Sequence, residues 1–237
     1  MSKFIVSSVG FLVGDSWTHL PGVIGLCRDH EVSLVTGSYS KPVWEWAKQH
    51  VRGADYKIVR TIDDPDEVEH PYCPGKGYIA ITPALEYVRS EMPLDTVIHA
   101  GECEGYGRPL ELKDLEVADG EHTVVHPFTR HDWKNCRMVI KDVRYARPVK
   151  AVGLPGEFEP GPGWQMVAGF DAMVQEVLKS AGFVGVLSSF TNVAALFKKK
   201  QIIVSFTPDM PQVNDRAVKL VEPSIAELQT AVVAMGL

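Results

Sequence analysis

No stretch of the chain approaches the roughly 20 consecutive apolar residues that a membrane-crossing helix needs, so no bilayer span is expected. Cysteine is scarce and scattered. Cys27, Cys73, Cys103 and Cys136 form no C-x-x-C pair, and the expectation is four reduced, structural thiols rather than a disulfide framework. Positive charge is in deficit: 24 Lys and Arg stand against 30 Asp and Glu, a formal net charge of -6. That balance disfavours nucleic acid or an anionic membrane surface as a general partner and leaves only a local patch to hold either.

Several catalytic signatures are missing as well. There is no G-x-x-x-x-G-K-[ST] loop to cradle nucleotide phosphates. Gly75-Lys76-Gly77 and the stretch Gly101 to Gly107 do not make a dinucleotide fingerprint after a strand. The absence of G-x-S-x-G removes the nucleophile of the α/β-hydrolases. Without H-E-x-x-H or a Cys/His cluster at ligand spacing, neither a metal nor a cofactor is assigned. Met1 to Ser7 carries one positive charge before a short apolar run. It reads as a first strand rather than a signal peptide, and a cytoplasmic location is expected.

What is there is an ordinary globular composition, 237 residues with 45% hydrophobic and 23% charged, enough for one large domain or two compact ones. Phe4 to Val9 reads as a strand, and Ser16 to Arg28 as a helix starting near Thr18 or His19, because Pro21 is tolerated only in a first turn. Glu31 to Thr36 predicts a strand, Pro42 to Val51 a helix with Trp44 and Trp46 as packing residues, Tyr56 to Thr61 a strand, Thr82 to Glu91 a helix and Asp95 to His99 a strand. A second series follows: strands at Thr123 to His126, Val149 to Val152, Val184 to Leu187 and Ile202 to Phe206, with helices at Phe170 to Ser180, Thr191 to Phe197 and Ile225 to Met235. Strands alternating with helices indicate parallel sheets covered on both faces. The expected fold is α/β, two Rossmann-like domains facing a cleft. Residues 1–104 form an N-terminal domain, 105–122 a linker rich in Gly, Glu and Asp, and 123–237 a C-terminal domain. His99 and Glu102 end a strand, either facing the cleft or serving structure, and Lys198 to Lys200 reads as a solvated helix terminus.

The most informative segment is Gly14-Asp15-Ser16-Trp17-Thr18-His19-Leu20-Pro21, after the first strand and at the opening of the first helix. A carboxylate on a loop at the end of a strand can take the proton of an attacking hydroxyl. The other reading of Asp15 is a helix cap, for which Asp is well suited. Gly-Asp followed by Leu-Pro resembles the N-terminal signature of the heptosyltransferase-like family of GT-B glycosyltransferases, a family 9-type pattern. The resemblance implies that Asp15 is the general base. Thr18 and His19 from the same segment, and Lys76 from the loop His70 to Gly77, fall on its acceptor side.

Further resemblances follow in family order. Val124-Val125-His126-Pro127-Phe128-Thr129-Arg130 looks like the strand and phosphate-binding turn of the C-terminal domain, which implies donor contacts from His126, Thr129 and Arg130. Val149 to Glu157 resembles the turn that holds the nucleoside, with Gly156 shaping it and Glu157 on the ribose; a simple Pro-Gly turn reads the same. Val184 to Leu196 followed by Ile202 to Pro208 is similar to the final strand, turn, helix and strand of the family. There Ser188, Ser189, Thr191 and Asn192 would meet a phosphate at a helix N-terminus, or Ser188 or Ser189 would simply cap it. Two positions depart from the pattern: the family's acidic residue falls at Ser188 or a neighbour, and its following histidine at Val193 or Asn192.

Taken with the resemblance, these segments imply a metal-independent, inverting glycosyltransferase that moves a sugar from a nucleotide-diphosphate donor to a hydroxyl acceptor. The nucleotide sugar is then a substrate and no cofactor is required. Two alternatives stay open. One is a noncatalytic GT-B-like protein that binds a nucleotide or nucleotide sugar, and the other is a glycosyltransferase acting on a modified nucleic-acid base, against which the acidic balance weighs.

Overall fold

A computed structural model describes residues 2–8, 13–62, 69–70, 73–77, 97–127, 137–153, 156–205 and 215–237. The expected helix at Thr82 to Glu91 lies outside these residues. The chain divides into two compact units, Met1–Leu115 and Glu116–Leu237.

In the first unit, β1 (Lys3–Ser7), β2 (Glu31–Gly37), β3 (Lys57–Ile62) and β6 (Val97–His99) form an all-parallel sheet in the order β3-β2-β1-β6. β4 (Glu69–His70) and β5 (Cys73–Gly77) make a separate antiparallel pair. The chain moves outward from β1 to β3 and then returns to the other side of β1, so the strand order reverses between β1 and β6. In open α/β sheets ligands bind at the carboxyl ends of the strands beside such a reversal.

Helix α1 (Val13–Cys27) follows β1. It begins well before the expected Thr18 or His19 and carries Pro21 in its interior. Proline removes one helical N–H and crowds the carbonyl four residues back. Burial of Trp17 and Leu20 before it and of Val23 and Ile24 after it outweighs the penalty. From Leu20 onward α1 is buried nearly all round, because a 310 helix (Ala100–Tyr106) lies against it. Two glycines make that approach possible. A Cβ on Gly22 would collide with the Cys103 carbonyl, and one on Gly25 with the Tyr106 carbonyl.

α2 (Lys41–His50) has Pro at its start, and Trp44 and Trp46 are packing residues. Trp46 meets Trp17 edge-on at 5.0 Å, and Tyr56 donates its hydroxyl to the Trp44 carbonyl at 2.7 Å. Between β1, β2 and α2, the buried hydroxyls of Ser8, Thr36 and Ser40 hydrogen-bond to one another at 2.8 to 3.3 Å.

The second unit contains β7 (Thr123–His126), β8 (Val149–Val152), β9 (Gln165–Val167), β10 (Gly182–Val186), β11 (Gln201–Ser205) and β12 (Ala217–Val221). These are all parallel, in the order β12-β11-β10-β7-β8-β9, with the reversal between β7 and β10. β7, β10 and β11 are buried along their whole length, as central parallel strands must be. The helices are α3 (Arg137–Lys141), α4 (Phe170–Lys179), α5 (Ser189–Leu196) and α6 (Ile225–Met235). α6 opens with a capping box: Ser224 N–H donates to Glu227 Oε2 at 2.8 Å and Glu227 N–H to Ser224 Oγ at 3.3 Å. Ile140, Val125, Val184, Ile202, Leu228 and Val232 belong to the core of this unit.

The stretch read as a solvated terminus is otherwise in one respect. Lys199 is buried, and its ammonium donates to the Ala118 carbonyl at 2.6 Å and to Asp119 Oδ1 at 3.4 Å. The long aliphatic stem packs inside while the charge finds two oxygens on the chain entering this unit. On the other side of the division, Lys113 N–H donates to the His50 carbonyl at 2.8 Å, tying residues 111–113 to the first unit.

Candidate functional site

In the first unit, Asp15 stands in the first turn of α1, inside the helix rather than at its cap, and is half-buried. A carboxylate there is favoured by the helix dipole. His19 lies one turn further along the same face. Burial pushes its imidazole below the ordinary value, against the opposing pull of Asp15 and of Glu104 in the 310 helix. Thr18 is exposed, and its hydroxyl donates back to the Gly14 carbonyl at 3.3 Å. Lys76 stands on β5, and its side chain lies outside what is described.

His99 and Glu102 serve structure. The His99 N–H donates to Glu102 Oε2 at 2.6 Å and Gly101 N–H to His99 Nδ1 at 3.3 Å, a reciprocal cap that opens the 310 helix. Glu104 was not among the expected site residues. Its place depends on the Gly22 and Gly25 contacts, and the only local signal for it is the spacing of those two glycines on one helical face.

In the second unit, His126 ends β7 and Ser188 precedes α5 at the end of β10, the two strands that flank the reversal. Their side chains meet, with His126 Nδ1 to Ser188 Oγ at 2.9 Å. Burial drives the His126 imidazole down to about 3, so the ring is neutral at pH 7, and Phe190 packs edge-on to it at 5.2 Å. The Thr191 hydroxyl is fully buried: it donates to the Val186 carbonyl at 2.9 Å and accepts from Ser188 N–H at 3.2 Å. It therefore holds the turn from within. Ser189 and Asn192 are half-buried on the opening turn of α5, which carries no acidic residue.

Beyond β8, Gly156 has φ +83, the left-handed region that glycine adopts without penalty, and is exposed. Glu157 folds back toward the strand end, its Oε2 3.1 Å from where a Cβ on Gly153 would stand. Thr129 and Arg130 lie outside the described residues. His122 and His126 stand four apart, a ligand spacing on a helix. Here the intervening residues are strand β7, which separates the two by about 13 Å. His122 instead meets Glu176 at 3.0 Å, and Glu176 also takes Lys150 at 2.7 Å. Among the described residues no group of three or more His, Cys, Asp or Glu is placed to hold a metal ion. No described helix is long and apolar enough to cross a membrane.

No family model matches the sequence, and no curated protein is similar to it at a significant level. Solved structures do match over the whole chain. E. coli heptosyltransferase WaaC with ADP-2-deoxy-2-fluoro heptose superposes with a TM-score of 0.61 at 13% identity, covering 98% of each chain. The fold is that of the heptosyltransferases. The E. coli ADP-heptose LPS heptosyltransferase II gives a TM-score of 0.59 at 10% identity over 99% of this chain and 98% of its own. A glycosyl transferase of family 9 from Veillonella parvula gives 0.57 at 10% identity over 99% and 91%. The α/β architecture of two all-parallel, Rossmann-like sheets and the resemblance drawn from the sequence thus agree with the solved folds.

Proposed function

We propose that the chain is a glycosyltransferase that moves a sugar from a nucleotide-diphosphate donor to a hydroxyl acceptor. Asp15 removes the acceptor proton as its oxygen attacks the anomeric carbon. The bond from that carbon to the diphosphate breaks, and one base with direct attack inverts the centre. The observation that carries this reading is the pair of reversal points. One presents a carboxylate on the opening turn of α1, and the other presents an acid-free helix start beside a neutral histidine. A helix N-terminus with no carboxylate of its own is suited to phosphate.

The diphosphate is assigned to the N–H groups and side chains of Ser188, Ser189 and Asn192 with Thr191 supporting the turn, to His126, and to Thr129 and Arg130 on the segment after β7. Gly156 and Glu157 are assigned to the nucleoside. These donors stabilise the leaving group's growing charge, a role that needs no metal. Thr18, His19 and Lys76 are assigned to the acceptor side. The fold relative WaaC was solved both with ADP and with an ADP-sugar, which makes ADP-sugars the first donors to try.

The deciding experiment is thermal unfolding with ADP-, UDP-, GDP- and CMP-sugars and free nucleotides, with Arg130→Ala alongside. A ligand at a hundredfold excess over its Kd stabilises by about 2.7 kcal/mol, a shift of several degrees for a chain of this size. A shift confined to one nucleotide series and lost in the variant supports the reading, and no shift with any ligand defeats it. Ser188, standing where the resemblance expects an acid and bonded instead to His126, favours a second reading, a noncatalytic nucleotide-sugar binder. Tight binding without turnover across a broad acceptor panel would select it.

A further inference from the structure

Asp15, His19 and Gly22 follow one another at i, i+4 and i+7 on α1, which sets them in a row along one face. The third place has no side chain, and the 310 helix backbone lies directly on it. A Cβ on Gly22 would meet the Cys103 carbonyl and stand 3.2 Å from the Glu104 nitrogen. Glu104 is thereby brought beside the turn that carries His19, and its charge acts on the imidazole together with that of Asp15.

We propose that His19, one turn after Asp15 on α1 and beside the 310 helix that bears Glu104, is the positioning residue for Asp15 and the group to which Asp15 passes the proton it takes from the acceptor. This rests on the reading of Asp15 as the base. The acceptor O–H proton goes to a carboxylate oxygen of Asp15 while the hydroxyl's electron pair forms the bond to the anomeric carbon and the diphosphate leaves. The Asp15 O–H proton then moves to a ring nitrogen of His19. The resulting imidazolium, favoured by the charges of both carboxylates, gives its proton to water, which reaches the exposed Glu104. Asp15 is again a carboxylate, ready for the next acceptor.

The neutral imidazole is the form that can accept. Burial keeps His19 in that form to lower pH than an ordinary histidine, and the two carboxylates work in the opposite direction. Below the His19 pKa, an imidazolium beside Asp15 makes the carboxylate a weaker base, so transfer should have an acid limb that belongs to His19. The charged groups acting on it are Asp15 from its own helix and Glu104 from the 310 helix. In the same 310 helix, Glu102 is engaged by the His99 N–H, Cys103 is buried with its thiol pushed up to about 12, and Tyr106 meets His30 edge-on at 6.3 Å. α2, with Lys41, Glu45, Lys48 and His50, meets α1 through Trp17 and Trp46, on the helical side away from His19. Glu31 of β2 pairs with Lys3.

The test is a proton NMR titration of the His19 ring in the unaltered chain, in Glu104→Gln and in Asp15→Asn, with His19→Gln providing the assignment. The His19 midpoint should move to lower pH in each of the two carboxylate variants. An unmoved midpoint in both overturns the proposal whatever the chain catalyses. In the transfer assay His19→Gln should lose about tenfold in kcat, keep its donor KM and lose the acid limb of the pH profile. A normal acid limb in His19→Gln also overturns the proposal. A midpoint that responds to both carboxylates in a chain that transfers nothing would support the row itself and count against the transferase reading, which separates the two failures.

Discussion

The two sheets share one winding and differ in what they carry at the point of reversal. In both, the first strand lies between the second and the fourth, and the fourth runs into a capped helix. In the first unit that cap is His99 with Glu102, and the only acid of the opening turn is bonded to the backbone. In the second the cap is Ser188 with Thr191, no acid is present, and the free face of Ser188 is turned to His126 on the neighbouring strand. The dipole of the first helix start is thus already answered by a carboxylate, and that of the second meets no acid in its own first turn. Acidity is instead placed at α1 of the first unit, where the charges of Asp15 on that helix and of Glu104 on the 310 helix both act on His19. One topology has been filled with opposite electrostatics, an acidic helix opening in one copy and an acid-free one in the other.

The largest expected effect breaks the comparison on its acidic side. Asp15→Asn keeps shape and removes basicity, and transfer should fall by 100-fold or more, on the order of what a general base contributes, with donor binding retained. Single-turnover rates beside nucleotide binding measure this, and near-normal transfer would remove Asp15 from the reaction.

The next effect concerns how the row is assembled. Gly22→Ala gains helix propensity but drives a methyl group into the Cys103 carbonyl, so the net cost should be about 2 kcal/mol in denaturant unfolding. The same variant displaces Glu104 and should lower the His19 titration, as Glu104→Gln does. Equal stability of variant and parent would show that the 310 helix yields freely and that its approach to α1 is not fixed by the glycines.

The second unit is probed by acid. His126 has an ordinary value of 6.5 in the unfolded chain and about 3 when folded, so between these limits the unfolded chain binds the extra proton. Its contribution is intact above pH 6.5 and is lost as the pH falls toward 3. At pH 5 the folded state should have lost about 2 kcal/mol relative to pH 7. His126→Asn removes the titrating group and should flatten that slope, which urea midpoints at the two pH values would read. An unchanged slope would place the acid sensitivity elsewhere.

How much of this contrast the sequence discloses follows from the range of each interaction. Segments such as Thr123 to His126 and Glu31 to Thr36 announce strands because their Val, Leu and Thr residues suit a buried parallel sheet and turn-forming residues bound them. β9 and β12 went unread: one has three residues and is mostly exposed, the other is a half-buried edge, so neither has a strong pattern. Pro21 misdirects the start of α1, since local propensity knows nothing of the packing around Trp17 and Leu20. Asp15 is visible in its motif, but the Glu104 that completes its row is not, because its position depends on a contact between helices. Lys199 reads as a surface cation because its partners, Ala118 and Asp119, are 81 and 80 residues away. His126 and Ser188 could each be named, but the bond between them spans 62 positions and needs the parallel pairing of β7 with β10.

That bond is the subject of the smallest expected effect. Ser188→Ala leaves the His126 Nδ1 without its partner in a buried place, which should cost about 1 kcal/mol. Because Thr191 still accepts from the backbone N–H at 188, α5 should keep its start, and nucleotide binding should weaken only by the contact of the one hydroxyl lost. Ser188→Asp introduces the acid that the family pattern carries at this place. It puts a negative charge at the helix start beside a neutral imidazole, draws the His126 pKa upward and competes with any incoming phosphate. Donor affinity should then fall by about tenfold, equivalent to 1.4 kcal/mol. If Ser188→Asp instead binds the nucleotide more tightly, the acid-free start of α5 is not where the diphosphate sits, and the electrostatic contrast between the two sheets loses its functional meaning.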